Sequence, residues 1–251
     1  MIALITGAST GLGRDMAIYL SELGYDLILT ARSKNKLVKL KKMLPSRVKI
    51  ITTDLSKPEN AIKLYDVCKN IKVDVLINNA GVGAVGAFDN TSLDEELNLI
   101  NLNVTSLHIL TKLFYRDFKR RNHGKILNVS SSAAFFPGPL MAAYYASKNY
   151  VLNLSQSIYR EIKETKSAVT ISVLCPGPVQ TNFNKRLGVS NSFSPANSYE
   201  VSRYAIDMML KGAFCIVPKL NMKISVACAP FLPANLKSKI IYTIQKRKMP
   251  L

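Results

Sequence analysis

Short runs of consecutive apolar residues alternate along the chain with longer stretches in which apolar residues recur every three or four positions. The runs Ile2–Thr6, Tyr25–Thr30, Val48–Thr52, Val73–Asn78, Lys125–Ser130, Val169–Leu174 and Phe214–Val217 predict strands. Most lack a polar face, as expected of parallel strands covered on both sides. Helical spacing recurs near 12–23, 33–44, 58–70, 92–121, 141–165 and 199–211. This alternation predicts an α/β fold: a doubly wound parallel sheet of about seven strands flanked by helices on both faces. No repeat, Gly/Ser linker or low-complexity tract interrupts it, so residues 1–251 read as one domain. Residues 176–198, rich in Pro, Gly, Asn and Ser, read as a substrate-side loop or lid. Residues 219–251 form a basic, amphipathic C-terminal extension broken by Pro230 and Pro233.

Composition narrows the function classes. With 48% hydrophobic residues over 251 positions, the chain can bury a sizeable core and is not a disordered polyelectrolyte. No apolar run reaches about 18 residues, and the start MIALITGAST has no signal-peptide architecture. Cys68, Cys175, Cys215 and Cys228 are scattered without a CxxC spacing, which fits a reducing compartment. A cytoplasmic location is the expectation. His108 and His123 make no recognisable metal site with these cysteines, so no metal is expected. The 34 Lys and Arg outnumber 16 Asp and Glu, giving a net charge of +18. Such a field suits nucleic acid or an anionic membrane surface. Most of it is Lys spread over amphipathic segments, and no nucleic-acid recognition motif accompanies it, so specific nucleic-acid binding is not expected. Local concentrations lie at 34–49 and in residues 211–251, where eight cations occur with no acid.

The first strand runs into Thr6-Gly7-Ala8-Ser9-Thr10-Gly11-Leu12-Gly13 and then a helix. Glycines there permit a tight turn, close backbone approach to a pyrophosphate and close helix–strand packing. The helix N-terminus adds N–H donors and a positive dipole end. The second strand ends Leu29-Thr30-Ala31-Arg32. A site selective for NAD usually carries an acid there, to hold the ribose hydroxyls. Ala31 repels nothing and Arg32 can pair with a 2′-phosphate, which predicts NADP(H). Lys36 reads as a solvated helix residue.

Tyr144 and Lys148, four apart, share one face of a predicted helix. A neighbouring ammonium favours the phenolate, so Lys148 is expected to lower the Tyr144 pKa. Ser131 ends the fifth strand, thirteen residues earlier, where its hydroxyl could polarise a carbonyl oxygen. Asn78-Asn79-Ala80-Gly81 follows the fourth strand, Asp54 the third and Pro176-Gly177-Pro178-Val179-Gln180-Thr181 the sixth. All project to the carboxyl edge of the sheet, where open α/β sheets bind ligands.

TGASTGLG at 6–13, DL at 54–55 (Asp54, Leu55), NNAG at 78–81, Asn103 of LNVTS, Ser131, YYASK at 144–148 and PGPVQT at 176–181 together resemble the short-chain dehydrogenase/reductase family. They span about three quarters of the chain in that family's order. The resemblance implies a Rossmann-type sheet and hydride transfer between NADP(H) and a carbonyl or secondary alcohol. It implies Tyr144 as proton donor, Lys148 as a group that lowers its pKa and holds the nicotinamide ribose, and Ser131 as a hydrogen-bond partner of the substrate oxygen. Asn103 would hold a water linking Lys148 to a proton relay; Asn101 competes for that role but lies two residues early. The Gly7-to-Gly13 turn, with Ser9, Thr10, Gly11 and Leu12, would cradle the cofactor. Asp54 would contact the adenine, Asn79 with Ala80 and Gly81 would line the ribose, and Val179 and Thr181, after Pro176 and Gly177, would meet the nicotinamide carboxamide. Arg32 corresponds to the family's NADP-selecting arginine. Family members are commonly dimers or tetramers, joined through helices like those near 92–121 and 141–165.

Ala133, Ala134, Phe135, Phe136, Pro137, Leu140, Met141, Phe183 and Phe193 suggest an apolar substrate site, with loop packing an equal reading. No acid or base marks a substrate head group. The tail could lie on an anionic membrane, dock on the protein or form a subunit contact. A catalytically silent NADPH-binding regulator is the competing class, and the intact Asn103, Ser131, Tyr144 and Lys148 speak against it.

Overall fold

A computed structural model describes residues 1–183, 187–189 and 195–248. Phe193, one of the apolar positions assigned to the substrate site, lies outside them. Seven strands form one all-parallel sheet in the order β3-β2-β1-β4-β5-β6-β7. They are β1 (Ile2–Thr6), β2 (Asp26–Ala31), β3 (Val48–Thr52), β4 (Val75–Asn78), β5 (Lys125–Val129), β6 (Thr170–Leu174) and β7 (Cys215–Ile216). The helices are α1 (Gly11–Glu22), α2 (Lys34–Met43), α3 (Pro58–Cys68), α4 (Leu93–Ile100), α5 (Leu107–Arg121), α6 (Ala142–Glu164), α7 (Ser198–Leu210), α8 (Leu220–Cys228) and α9 (Ala234–Lys246).

The continuous apolar strands are explained by helices on both faces. Along β1, Ala3 and Ile5 join a core with Met16 and Leu20 of α1, Leu37 and Leu40 of α2, and Ile206 and Met209 of α7. Leu4 points the other way, into a core with Leu64 of α3, Phe114 and Phe118 of α5, and Ile162 of α6. Phe114 and Phe118 are fully buried, each contributing about 2–3 kcal/mol of apolar burial. The chain leaves β1 toward β2 and β3, then returns to place β4 on the other side of β1. That reversal opens a crevice beyond the carboxyl ends of β1 and β4, the ligand position in such sheets.

One element departs from the sequence pattern. The segment 92–121, expected as one helix, is α4 and α5 joined by a π-helical turn over Asn101–Ser106. Such turns fit one more residue into a helix and recur at functional sites. Here tertiary bonding accompanies it. Asn103, buried in the turn, accepts from Val82 N (2.9 Å) through Oδ1 and donates to Val82 O (2.9 Å) through Nδ2. The base of the 176–198 loop is closed by Gln180 N donating to Ala196 O (2.9 Å) and Ala196 N to Pro178 O (3.0 Å). In the tail, α8 buries no residue, a 3-10 turn spans Ala229–Phe231, and Pro233 starts α9. No helix among the described residues is long and apolar enough to cross a membrane.

Candidate active site

A cavity of about 780 Å³ opens along the carboxyl edge of the sheet. Of the residues singled out in the sequence as catalytic or cofactor-binding, all but Gly13 and Asn103 line it. Gly13 stands behind the wall, where a Cβ would sit 2.3 Å from Asn79 Nδ2 and 2.5 Å from Gly7 O. Its absent side chain lets α1 approach the turn. Gly7 has φ +66°, and a Cβ there would lie 2.8 Å from Ala80 Cα. The two loops are also stitched together. Thr6 Oγ1 accepts from Asn79 N (2.9 Å) and Ala80 N (3.0 Å), while Asn79 Nδ2 donates to Thr6 O (3.0 Å).

The chain fits a dinucleotide here. The first turn of α1 has no acid, and no side chain caps it, so its positive end faces the cavity beside Ser9, Thr10 and Gly11. Gly11 carries φ +56° and meets Thr181 from the loop after β6. At the β2 end, Arg32 and Lys36 line the cavity beside Ala31 and Asp54. Burial pushes the Asp54 carboxyl up, but Ser56 N (3.1 Å), Ser56 Oγ (2.9 Å) and the Arg32 charge outweigh it and hold the pKa below the ordinary value. Lys36 is exposed on α2, as read from the sequence, and also lines the mouth of the cavity.

Ser131, Tyr144 and Lys148 come together at the other end. Ser131 caps the short helix Ser132–Phe135, its Oγ accepting from Ala133 N (3.1 Å). That leaves the hydroxyl hydrogen directed at the Tyr144 oxygen, with which Ser131 shares a hydrogen bond. Lys148 is buried, its Nζ donating to Val129 O (3.0 Å) and lying 5.8 Å from the Tyr144 ring centroid. Burial pulls its pKa down to about 8. The expectation that Lys148 lowers the Tyr144 pKa is corrected. Burial pushes this phenol up to about 12, with the Ser131 hydrogen bond pulling back only part of the way.

Asn103 does not line the cavity. Its amide, besides clamping Val82, donates to Ser147 Oγ (3.1 Å), and Ser147 Oγ donates to Tyr144 O (2.6 Å). It fixes the backbone under Tyr144, while Asn101 is only half-buried. Ser130 Oγ donates to Lys148 O (2.7 Å), holding the same turn of α6 from β5. Neither Ser130 nor Ser147 was legible as a site residue, because their bonds run across elements.

The apolar candidates divide. Ala133, Met141 and Phe183 line the cavity, and the Phe183 ring centroid lies 5.5 Å from that of Tyr144. Ala134 and Phe135 instead pack with Val151 and Val173, so for them loop packing is the correct reading. Leu187 and Val189 join the apolar wall. Gln245 and Lys248 of the C-terminal segment add polar groups to the lining, and no local sequence signal tied them to the site. Among the described residues no cluster of His, Cys, Asp and Glu could hold a metal.

Comparison with known proteins agrees with this geometry. The family model of the short chain dehydrogenases matches residues 1–191. The chain is 34% identical over 188 residues to the 2-dehydro-3-deoxy-D-gluconate 5-dehydrogenase of Bacillus subtilis (strain 168), covering 73% of this chain and 72% of that one. It is 31% identical over 194 residues to the 17-beta-hydroxysteroid dehydrogenase type 3 of Homo sapiens, covering 75% of this chain and 62% of the relative. Among solved structures it is similar to a short-chain dehydrogenase from Sphingobium yanoikuyae in complex with NADPH, with TM-score 0.84, 26% identity and 92% of each chain covered. It is also similar to a short chain dehydrogenase/reductase from Burkholderia phymatum in complex with NAD, with TM-score 0.80, 25% identity and 90% and 91% covered. Sheet order, crevice and matched segment agree: the chain belongs to the short-chain dehydrogenase/reductase family of oxidoreductases.

Proposed function

We propose that the protein is an NADPH-dependent reductase of ketones or aldehydes with an apolar body, reversible as a secondary-alcohol dehydrogenase. The observation that carries this is the convergence of Ser131, Tyr144 and Lys148 on the apolar end of the cavity, opposite Arg32 and Lys36. Gly7, Ser9, Thr10, Gly11 and Leu12 hold the pyrophosphate, Asp54, Leu55, Asn79, Ala80 and Gly81 the adenosine half, and Pro176, Gly177, Val179 and Thr181 the nicotinamide end. Arg32 and Lys36, beside a neutral Ala31, receive the 2′-phosphate. The bound cofactor supplies the hydride. Ser131 and Tyr144 donate to the carbonyl oxygen, stabilising the charge that builds there. With its pKa pushed up to about 12, the Tyr144 phenol stays protonated at neutral pH and is always loaded as the acid. Lys148 holds the ribose and supplies positive charge below pH 8. Asn103 positions Val82 and α6.

Tyr144→Phe should lower kcat by about 10³ while leaving NADPH affinity within about threefold. The check is NADPH oxidation against diketones, 3-oxoacyl thioesters and steroid ketones, with NADH as control; a variant that keeps full turnover rejects the assignment.

Two contacts extend this reading. Leu93, Leu97 and Ile100 give α4 an exposed apolar stripe at i, i+4 and i+7, suited to a second copy of the chain. Light scattering should give a homodimer or tetramer, and a monomer at micromolar concentration rejects it. Leu220, Ile224, Phe231, Leu236 and Ile240 are exposed in an acid-free basic tail, which supports peripheral binding to an anionic membrane.

A further inference from the structure

Away from the cofactor cavity, two cysteines meet at the edge of the sheet. β7 is the last strand in the order and only two residues long, Cys215 and Ile216. Cys215 is exposed there, whereas Cys175, just past the end of β6, is fully buried; both are free thiols. The register pairs Val173 with Cys215, and Cys175 N donates to Ile216 O (2.8 Å). Side chains alternate along a strand, so Cys215 shares the face of Val173 and Cys175, which pack against Val151 and Leu152 of α6. The two cysteines stand diagonally across the strand pair, and their thiols share a hydrogen bond.

That bond gives the two sulfurs different characters. Donated by Cys175, it favours the thiolate of Cys215 and pulls its pKa down. The same bond, together with burial, keeps the proton on Cys175. An exposed sulfur with thiolate character is the one an oxidant reaches first, and a protected thiol beside it can resolve the product. Cys175 also reaches toward the active site. Its sulfur shares a hydrogen bond with Ser130 and lies in the field of Lys148. Ser130 Oγ in turn donates to Lys148 O (2.7 Å). A chain of contacts therefore runs from the outer edge of the sheet, through Cys215, Cys175 and Ser130, to the turn of α6 that carries Lys148.

We propose that Cys215 and Cys175 are a peroxide-responsive dithiol: a hydroperoxide oxidises Cys215, Cys175 closes a disulfide, and the bond slows the enzyme through Ser130 and Lys148. The Cys215 thiolate attacks one peroxide oxygen; an S–O bond forms, the O–O bond breaks and hydroxide leaves. The Cys175 sulfur then attacks the Cys215 sulfur. The S–S bond forms, the S–O bond breaks, and the departing oxygen takes the Cys175 proton and leaves as water. The two sulfurs together lose two electrons and the peroxide gains them. Closing the bond draws the short edge strand along β6 and takes the Cys175 sulfur off Ser130. A dithiol reductant reverses it by thiol–disulfide exchange. The disulfide stands on its own geometry, and only the slowing of turnover rests on the reductase reading.

The reduced full chain is treated with hydrogen peroxide, its remaining thiols are alkylated, and the products are mapped by mass spectrometry. The wild type should gain one disulfide, between Cys175 and Cys215, which dithiothreitol reopens. Cys228→Ser, which removes the other exposed cysteine, should form the same bond. Cys215→Ser should form none, and Cys175→Ala should carry Cys215 on to sulfenic and sulfinic acid. NADPH oxidation with the best ketone should fall about tenfold in the oxidised wild type and return with dithiothreitol, while peroxide-treated Cys215→Ser should stay within about twofold of its untreated rate. No disulfide in the wild type, or one that includes Cys68 or Cys228, overturns the proposal. A Cys175–Cys215 bond that leaves turnover undiminished, or an equal loss of turnover in Cys215→Ser, overturns the control assigned to the pair. A wild type that forms the bond and yet, when reduced, oxidises no NADPH with any ketone would reject the reductase reading and leave the dithiol standing.

Discussion

Two helices meet the same cavity and are held in opposite ways. α6 buries Tyr145, Ser147, Lys148, Val151, Leu152, Ser155 and Ile162, and its backbone is gripped from β5 and from the π turn. α9 buries Gln245 alone and leaves Leu236, Ile240 and Tyr242 exposed. Proton chemistry needs donors fixed to a fraction of an ångström, and α6 is built for that. α9 is tied to the core by far less, and an element held so loosely can adapt to what it meets. The contrast predicts that changes on α6 act on chemistry and the core, whereas changes on α8 and α9 act on partners and leave the sheet alone.

After Tyr144→Phe, the largest effect on α6 should come from Lys148→Met. Lys148 titrates near 8 in the fold against an ordinary 10.5. Below pH 8 the native state carries the full cost of a buried ammonium, ~3 kcal/mol for that gap. Losing the bond to Val129 O returns about 1 kcal/mol of cost. The variant should therefore be more stable at pH 7 by about 2 kcal/mol. Its advantage should shrink as pH rises from 8 to 10.5, where the unfolded chain also loses its proton. Reduction should meanwhile fall at least about 10²-fold. In the wild type, kcat/KM should decline above pH 8 as the Lys148 charge is lost. Urea melts from pH 7 to 10 check this, and a destabilised variant at pH 7 would break the contrast.

Arg32→Glu should come next. It places a carboxylate where a 2′-phosphate would bind, beside Asp54. The ratio of kcat/KM for NADPH over NADH should drop about tenfold to a hundredfold, with NADH itself little affected. A ratio that does not move would show that Arg32 selects nothing.

How much was legible in the sequence follows the same division. The strands and α6 were readable because burial on both sides leaves runs such as Ile2–Thr6, and because Tyr144 and Lys148 share a helix face with their partners in fixed order. The glycine turn was readable because Gly7 and Gly13 sit where a Cβ would strike Ala80, Asn79 or Gly7. The π turn was not, since what accompanies it is the bond between Asn103 and Val82, twenty-one residues away. The direction of the Tyr144 shift was missed as well: sequence shows the Lys148 partner but not how deeply the phenol is buried. Gln245 meets Tyr145 across a hundred residues, and α9 has too little core of its own to leave a pattern.

The smallest effect on the enzyme, and the sharpest on its surroundings, should come from the tail. Ile224 and Phe231 are 59% and 87% exposed, so replacing both by Ser should change stability by no more than about 0.5 kcal/mol and leave turnover intact. On a bilayer the same two side chains would bury apolar area worth about 1–3 kcal/mol each. Each Lys or Arg near an anionic surface adds about 1 kcal/mol. Wild type should therefore sediment with phosphatidylglycerol vesicles and not with phosphatidylcholine, more weakly at high salt. The double variant should lose about tenfold or more in partition while remaining active in solution. Equal sedimentation of the two proteins would mean that charge alone holds the tail to lipid. No sedimentation of either would leave the exposed face of α8 and α9 to another protein surface, and would remove membrane contact from the functions that distinguish it from α6.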